Sequence, residues 1–126
     1  MSTTGKKILI VEDDNDGRSI FLDVLNTAGY EAIGAIDGND ALIKLAETKF
    51  DLVLMDIIMP NKDGITALAE IKKDPKKYGK MDIYMLTNID SDITIQKSVE
   101  IGAKGYFLKS DLNPDQLIET VKKYLP

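Results

Sequence analysis

Short runs of apolar residues alternate with longer amphipathic stretches along the chain. Five runs, KILIV, EAIGAI, DLVLMD, DIYMLT and GYFLK, are nearly continuous in apolar residues and too short for helices. Such runs are typical of strands that are buried on both faces of a sheet. The stretches that follow them repeat apolar residues every three or four positions, which predicts helices with one buried face. These helical patterns run from Ile20 to Leu25, Ala41 to Leu45, Ile65 to Ile71, Ile93 to Val99 and Leu117 to Val121.

Strand and helix patterns alternate five times with short connections, which predicts an α/β fold. Because the crossovers between parallel strands are right-handed, the helices of such a chain cover both faces of the sheet. We therefore predict a doubly wound, five-stranded parallel sheet with five helices. The basic segment KKDPKKYGK, Lys72 to Lys80, is predicted to be a solvated helix end and loop.

The dipeptide Asp-Gly stands where two of the predicted helices begin. It occurs in DGNDAL, Asp37 to Leu42, and again in DGITAL, Asp63 to Leu68. At the end of a strand-to-helix loop, Asp-Gly supplies a tight turn and places a carboxylate near the positive helix terminus. The residues that flank the two copies differ, so the similarity predicts two alike helix starts and not a repeat architecture.

The length of 126 residues fits one domain with an ordinary core, since 44% of the residues are hydrophobic and 29% are charged. We expect a single domain over residues 1–126, with residues 1–5 as a flexible N-terminus. No apolar run approaches the roughly 20 residues of a membrane span, and MSTTGKK lacks the apolar core of a signal peptide. These features predict a soluble protein of the cytoplasm.

The composition narrows the chemistry that the chain can perform. It contains no cysteine and no histidine, which excludes disulfides, thiolate or imidazole metal sites, and Ser-His or Cys-His catalysis. Chemistry must therefore rest on carboxylates, hydroxyls, lysines and the backbone. The net charge of −5 argues against direct binding of duplex nucleic acid, because lysine and arginine supply most of that affinity.

Polar side chains close four of the five aliphatic runs. Glu12 and Asp13 follow the first run, Asp56 ends the third, Thr87 the fourth and Lys109 the fifth. Because ligands bind outside the carboxyl ends of parallel strands, these residues are candidates for one site. Clustered carboxylates need a cation, and an oxygen-only set favours a hard ion such as Mg²⁺. A carboxylate can attack phosphorus, and Asp56 is the best candidate nucleophile because it ends the most aliphatic strand.

Four motifs, read in order, resemble the receiver domain of two-component response regulators. They are ILIVEDD, LVLMDIIMPNKDG, YMLTN and GAKGYFLK, and together they extend over nearly the whole chain. The separations between the acid, the hydroxyl and the lysine (87 − 56 = 31 and 109 − 87 = 22) also fit this family. The resemblance implies a flavodoxin-like fold with strand order 2-1-3-4-5. It further implies a phosphorylation-dependent signalling switch, not an enzyme with turnover as its purpose.

The resemblance assigns the metal ligands and the phosphoacceptor. It makes Asp56 the phosphoacceptor and a ligand of Mg²⁺. Asp13 is implied to bind the metal directly, Glu12 through a water molecule, and Ile58 through its main-chain carbonyl. Asp14 and Asp16 are predicted to belong to the loop and to the first turn of the first helix, where carboxylates favour the helix N-terminus.

The resemblance also implies the residues that contact and sense the phosphoryl group. Thr87 and Lys109 match the hydroxyl and the lysine that contact the phosphoryl oxygens in the family. Thr87 and Tyr106 are implied to form the switch, in which the aromatic ring turns inward when the hydroxyl moves toward the phosphoryl group. The alternative for Tyr106 is an aromatic side chain at the rim that covers the last strand.

Four positions bear on departures from the usual pattern of the family. Ser110 follows Lys109, whereas relatives usually have a proline there in a cis peptide, so either a strained non-proline cis bond or another loop path is expected. Asn88 stands where a small residue is common and is expected to narrow access to the site. Ile58 and Ile89 flank the expected phosphate, and we hypothesise that they hinder attacking water, so that the phosphoryl group is lost slowly.

The resemblance implies several partners. A sensor histidine kinase or a histidine phosphotransfer protein is implied as the phosphoryl donor. A downstream protein is implied to bind the face formed by the predicted fourth helix, fifth strand and fifth helix, and a phosphorylation-dependent homodimer is left open. Direct contacts with nucleic acid and with membranes are not expected.

Other functions remain as alternatives. A Mg²⁺-dependent phosphatase that works through an aspartyl-phosphate would commonly carry a second acid two residues after the nucleophile, where this chain has Ile58. A flavodoxin-like mononucleotide binder would offer hydroxyls and backbone N–H groups in its first loop, where this chain offers four acids. The last alternative is a degenerate receiver that serves only as an interaction scaffold.

Overall fold

Five strands and six α-helices alternate in the computed structural model, which describes residues 4–88 and 92–126. The strands are β1 (Lys7–Val11), β2 (Glu31–Ala35), β3 (Leu52–Asp56), β4 (Asp82–Thr87) and β5 (Gly105–Leu108). The helices are α1 (Asn15–Thr27), α2 (Gly38–Glu47), α3 (Gly64–Lys73), α4 (Pro75–Tyr78), α5 (Asp92–Ile101) and α6 (Pro114–Tyr124). Of the N-terminal segment that is expected to be flexible, residues 1–3 lie outside the described part.

The sheet is parallel throughout and has the strand order β2-β1-β3-β4-β5. This order confirms the doubly wound α/β fold and the flavodoxin-like arrangement that the resemblance implies. The register sets Val11 of β1 level with Met55 of β3, and Thr87 of β4 level with Leu108 of β5. The carboxyl ends of four strands therefore meet at one edge, where the candidate residues follow.

The helix count exceeds the prediction by one, because α4 forms a single turn inside the basic segment that was expected to be a helix end and loop. Asp74 caps this turn, since its side chain accepts a hydrogen bond from the backbone N–H of Lys77 at 3.2 Å. Pro75 occupies the first helical position, where a missing N–H costs nothing. The predicted fourth and fifth helices are thus α5 and α6.

The core consists of two layers, one on each face of the sheet. Alternate residues of β1, β3 and β4 point to opposite faces; Leu9 and Val53 pack with α2 and α3, whereas Ile8 and Leu54 pack with α1 and α6. All five residues of β3 are buried, as the unbroken apolar run predicts. Among the described residues, no helix is long and apolar enough to cross a membrane.

Acidic or amide side chains cap most of the helices at this edge of the sheet. Asp37 and Asp63, the acids of the two Asp-Gly sequences, accept backbone N–H groups of α2 and α3, which confirms them as helix starts. Asp14 caps α1 through a 2.8 Å hydrogen bond from the N–H of Gly17, and Asp16 lies in the first turn of that helix. The position of these two acids agrees with their prediction as loop and first-turn residues.

Candidate functional site

Three carboxylates meet where β1 and β3 end. Oxygens of Glu12, Asp13 and Asp56 lie within 4.8 Å of one another. They converge because Val11 and Met55 are paired across neighbouring strands, so the residues that follow them leave the sheet side by side. Glu12 and Asp56 are buried, with 2% and 7% of their surface exposed, whereas Asp13 is exposed. The site therefore has two shielded acids and one acid that faces solvent.

Lys109 brings the positive charge to this cluster from the end of β5. Its ammonium donates a hydrogen bond to Oδ2 of Asp56 at 2.7 Å. The same Nζ lies 2.5 Å from Oε2 of Glu12 and forms a second ion pair. This glutamate oxygen is buried and accepts no well-aligned hydrogen bond from the described residues, so its charge rests on the ion pair with Lys109.

The pKa values of the buried groups respond to this crowding. Burial raises the pKa of Glu12; the close ion pair with Lys109 opposes this, and the charge of Asp56 adds to it. Burial alone would lower the pKa of Lys109, but its hydrogen bond with Asp56 and its ion pair with Glu12 outweigh burial and raise that pKa. The lysine is therefore held in its charged form, in which it neutralises part of the negative charge of Glu12 and Asp56.

The donor set fits a hard divalent cation. Three carboxylates against one ammonium leave an excess of two negative charges (3 − 1 = 2) within a few ångströms. All of the candidate ligand atoms are oxygens, and one of them, Oε2 of Glu12, is buried and accepts no hydrogen bond from the described residues. Mg²⁺ prefers such ligands and retains several of its own waters in an open site. Glu12, Asp13 and Asp56 are therefore suited to hold Mg²⁺.

A cleft of about 510 Å³ opens above the cluster and is lined by all but one of the predicted site residues. Besides the three acids and Lys109, its lining includes Ile58, Thr87 and Asn88. Thr87 is buried at the end of β4, whereas the side chain of Ile58 is 75% exposed. Tyr106 lies outside this lining, on β5, with 37% of its surface exposed. Ile89, the second predicted flanking residue, lies outside the described residues.

The segment that follows β5 forms a 3₁₀ turn and contains no cis peptide bond. Lys109 begins a 3₁₀ turn, Lys109–Asp111, that is closed by a 3.1 Å hydrogen bond from the N–H of Leu112 to the carbonyl of Lys109. The described residues contain no cis peptide bond, so the bond between Lys109 and Ser110 is trans. Of the two expectations for this departure from the family pattern, the alternative loop path is the one observed.

Two residues that support the site were not found from the sequence. The guanidinium of Arg18 donates a 2.7 Å hydrogen bond to the carbonyl of Glu12 and so holds the loop that carries the acids. At Gly64, an added Cβ would collide with the carbonyl oxygen of Asp56, so only glycine lets α3 begin this close to β3. The signals were available, since Arg18 is the only arginine of the chain and Gly64 follows an Asp at a helix start.

A family model describing the response regulator receiver domain matches residues 8–122. Among similar solved structures, the chemotaxis protein CheY4 of Vibrio cholerae is 32% identical, with a TM-score of 0.87, 95% of this chain covered and 98% of that chain covered. A CheY-like receiver domain protein from Methanospirillum hungatei JF-1 is 32% identical, with a TM-score of 0.82 and coverages of 94% and 91%.

The BeF3-activated N-terminal receiver domain of Klebsiella pneumoniae RstA is also 32% identical, with a TM-score of 0.84 and coverages of 95% and 98%. The residues matched by the family model, 8–122, include every candidate residue from Glu12 to Lys109. The chain therefore belongs to the response regulator receiver domain family, whose members are signalling switches.

Proposed function

We propose that this chain is a phosphorylation-dependent switch in which Asp56 accepts a phosphoryl group. The observation that carries the proposal is the position of Asp56, whose carboxylate ends β3 inside the acidic cleft and is paired with Lys109 at 2.7 Å. An oxygen of Asp56 attacks the phosphorus of a phosphohistidine. The new O–P bond forms while the P–N bond breaks, and the imidazole leaves with that electron pair.

Each neighbouring group has a defined part in this transfer. Glu12, Asp13, Asp56 and the main-chain carbonyl of Ile58 would hold Mg²⁺, which balances the negative charge of the transferring phosphoryl group. Lys109 neutralises Asp56 before the transfer and afterwards pairs with a phosphoryl oxygen. The hydroxyl of Thr87, at the end of the neighbouring strand, donates a hydrogen bond to another oxygen of the group.

The output of the switch is a changed partner-binding face. We assign this face to α5, β5 and α6, and we assign the coupling to Thr87 and Tyr106. When Thr87 moves toward the phosphoryl group, it frees space into which the half-exposed ring of Tyr106 turns. Phosphorylation must bias such a two-state element to have any effect on a partner.

Receiver domains interact with histidine kinases or phosphotransfer proteins and with downstream partners. For this chain we propose a sensor histidine kinase or a histidine phosphotransfer protein as the donor, and a downstream protein on the face of α5, β5 and α6. The proposal further comprises a cytoplasmic location, a single receiver domain over residues 1–126, and no direct contact with nucleic acid. Whether phosphorylation also produces a homodimer is tested by measuring molecular mass in solution with and without phosphoryl donor.

The test is the intact mass of the protein after incubation with Mg²⁺ and a small acyl-phosphate donor. The parent is expected to gain one phosphoryl group, and Asp56→Asn is expected to gain none. Asp16→Asn is the matched control, because it removes a nearby exposed carboxylate of α1 and should leave the gain intact. An unmodified parent would overturn the proposal, and sustained release of phosphate from small phosphomonoesters would indicate a phosphatase instead.

A further inference from the structure

The loop that follows Asp56, residues 57–63, carries Ile58 and needs support to hold its shape. Its two ends are fixed by backbone hydrogen bonds, from the N–H of Ile57 to the carbonyl of Leu86 at 3.1 Å and from the N–H of Gly64 to the carbonyl of Ile57 at 2.8 Å. In its middle, Met59 is buried in the core, whereas Ile58 and the segment from Pro60 to Asn61 are exposed. Contacts from a neighbouring loop can therefore hold this exposed part in addition to the anchor at Met59.

The support comes from the loop between β2 and α2. Asp37, at the start of α2, is buried with only 6% of its surface exposed. Its Oδ2 accepts a hydrogen bond from Nδ2 of Asn61 at 2.8 Å, across 24 positions of sequence. Next to it, the N–H of Gly38 donates to the carbonyl of Lys62 at 3.0 Å. Two neighbouring hydrogen bonds thus join the two loops.

The backbone at both contact points is specialised for this join. Asn61 has a φ of 67°, in the left-handed region that asparagine tolerates better than most residues. At Gly38, an added Cβ would lie 2.7 Å from the carbonyl oxygen of Lys62, so glycine is required for the close approach of the loops. The join therefore depends on residue choice on both sides.

Both carboxylate oxygens of Asp37 accept hydrogen bonds, although one is enough to cap a helix. Its Oδ1 accepts the N–H of Asp40 at 2.8 Å, which is sufficient to cap α2. The hydrogen bond from Asp40, followed by the one from Asn61, holds the pKa of Asp37 below its ordinary value. The carboxylate is thus ionised, and hydrogen bonds to an ionised acceptor are stronger than neutral ones.

We propose that Asp37 is a positioning residue, which fixes the loop 57–63 through Asn61 so that the main-chain carbonyl of Ile58 stays beside Asp56. The inference rests on the proposed function, in which this carbonyl is a ligand of Mg²⁺. Asp37 does not line the cleft and acts only through the loop. Its removal should weaken metal binding without removing any ligand.

The exchange of two side chains tests this role. In Asp37→Ser, the hydroxyl can still cap α2 but is too short to reach Asn61, so the join is lost. The double variant Asp37→Asn with Asn61→Asp restores the hydrogen bond with its direction reversed, at unchanged net charge. Asn61→Asp alone places two carboxylates opposite each other and should also lose the join.

The dissociation constant for Mg²⁺ is measured by titration with the metal, without any phosphoryl donor, and the backbone amide signals are monitored by NMR. Asp37→Ser and Asn61→Asp should each raise the constant about tenfold, the smallest effect typical of residues that orient metal ligands. The double variant should return close to the parent value. The amide signals of Ile58 and Met59 should shift in the single variants and recover in the double variant.

Asp74→Ala is the matched control for a loss of stability alone, because Asp74 caps the short helix α4 and lies outside both the cleft and the loop 57–63. It should lower thermal stability and leave the dissociation constant unchanged. The inference is overturned if the parent binds Mg²⁺ and Asp37→Ser binds it equally well, or if the double variant does not recover. A parent that binds no Mg²⁺ overturns the metal site itself, so the two failures are distinguishable.

Discussion

Replacement of Lys109 by methionine tests how the acidic cluster is balanced. Methionine has a similar length and no charge, so the change removes the ammonium and little else. In the parent, Lys109 contacts Glu12 at 2.5 Å and Asp56 at 2.7 Å, and the side chains of the three residues are only 17%, 3% and 10% exposed, respectively. Without the lysine, two shielded carboxylates would face each other without a cation.

The magnitude follows from this shielding. Loss of one partner from a buried ion pair costs about 3–5 kcal/mol, and we expect about 3 kcal/mol here because water can enter the open cleft. Lys104→Met is the matched control at the other, amino-terminal end of the same strand β5. Lys104 pairs with Asp82 at 4.0 Å, with 61% and 46% of the two side chains exposed, and such surface pairs contribute about 0–1 kcal/mol.

The assay is urea unfolding with and without Mg²⁺. Lys109→Met leaves three uncompensated carboxylates instead of two, so the metal should bind this variant more tightly than the parent. At a Mg²⁺ concentration of about 100 times the dissociation constant of Lys109→Met, metal binding adds about 2.7 kcal/mol to the stability of this variant. This gain would restore most of the stability that the variant lost relative to the metal-free parent. Two results would refute the reasoning: a loss below about 1 kcal/mol without Mg²⁺, or equal stabilisation of the parent and Lys109→Met by the metal.

Three further changes test other parts of the site. Gly64→Ala should lower the free energy of unfolding by about 2 kcal/mol, because its Cβ meets the backbone of Asp56, whereas Gly105→Ala, with ordinary contacts, should have little effect in the same urea assay. Ile58→Asn should speed the loss of the phosphoryl group about fivefold, since a polar side chain admits water; an unchanged rate, followed by intact mass, would contradict this. The pKa of Asp37 is lowered, chiefly by a backbone N–H, so its contribution to stability is present above its ordinary value of 3.8 and lost as the pH falls through the lower folded value. The stability difference between the parent and Asp37→Asn should therefore narrow below pH 3.8, and a constant difference would argue against it.

The fold could be predicted because its strongest signals are local. The run Leu52–Asp56 is apolar in every position but the last, which only a strand buried on both faces explains well, and the helices between the strands are long enough to show their period. The helix Pro75–Tyr78 was missed for the same reason, since four residues make one turn and cannot display a period of 3.6. The longer helices could therefore be predicted from their apolar period, whereas the four-residue helix could not.

The convergence of the site could be predicted, but not its internal pairing. Glu12, Asp56 and Lys109 each close an aliphatic run, and parallel strands bring such residues to one edge. Their contacts depend on the strand order, which the resemblance supplied and the pattern alone did not. The trans bond after Lys109 depends on the path of the next turn, for which Ser110 offers no strong local preference, so two paths were left open.

The two Asp-Gly sequences show where local reasoning ends. Asp37 and Asp63 stand in the similar sequences DGNDAL and DGITAL and have the same local role, since each caps a helix by accepting a backbone N–H three residues later. Asp63 is exposed, whereas Asp37 is buried under the loop that follows β3 and gives its second oxygen to Asn61. A helix start is determined by nearby residues, but the partner of the second oxygen is determined by which loop lies above it. The sequence therefore predicts both caps alike, and only the packing of neighbouring loops makes Asp37 a support for the site.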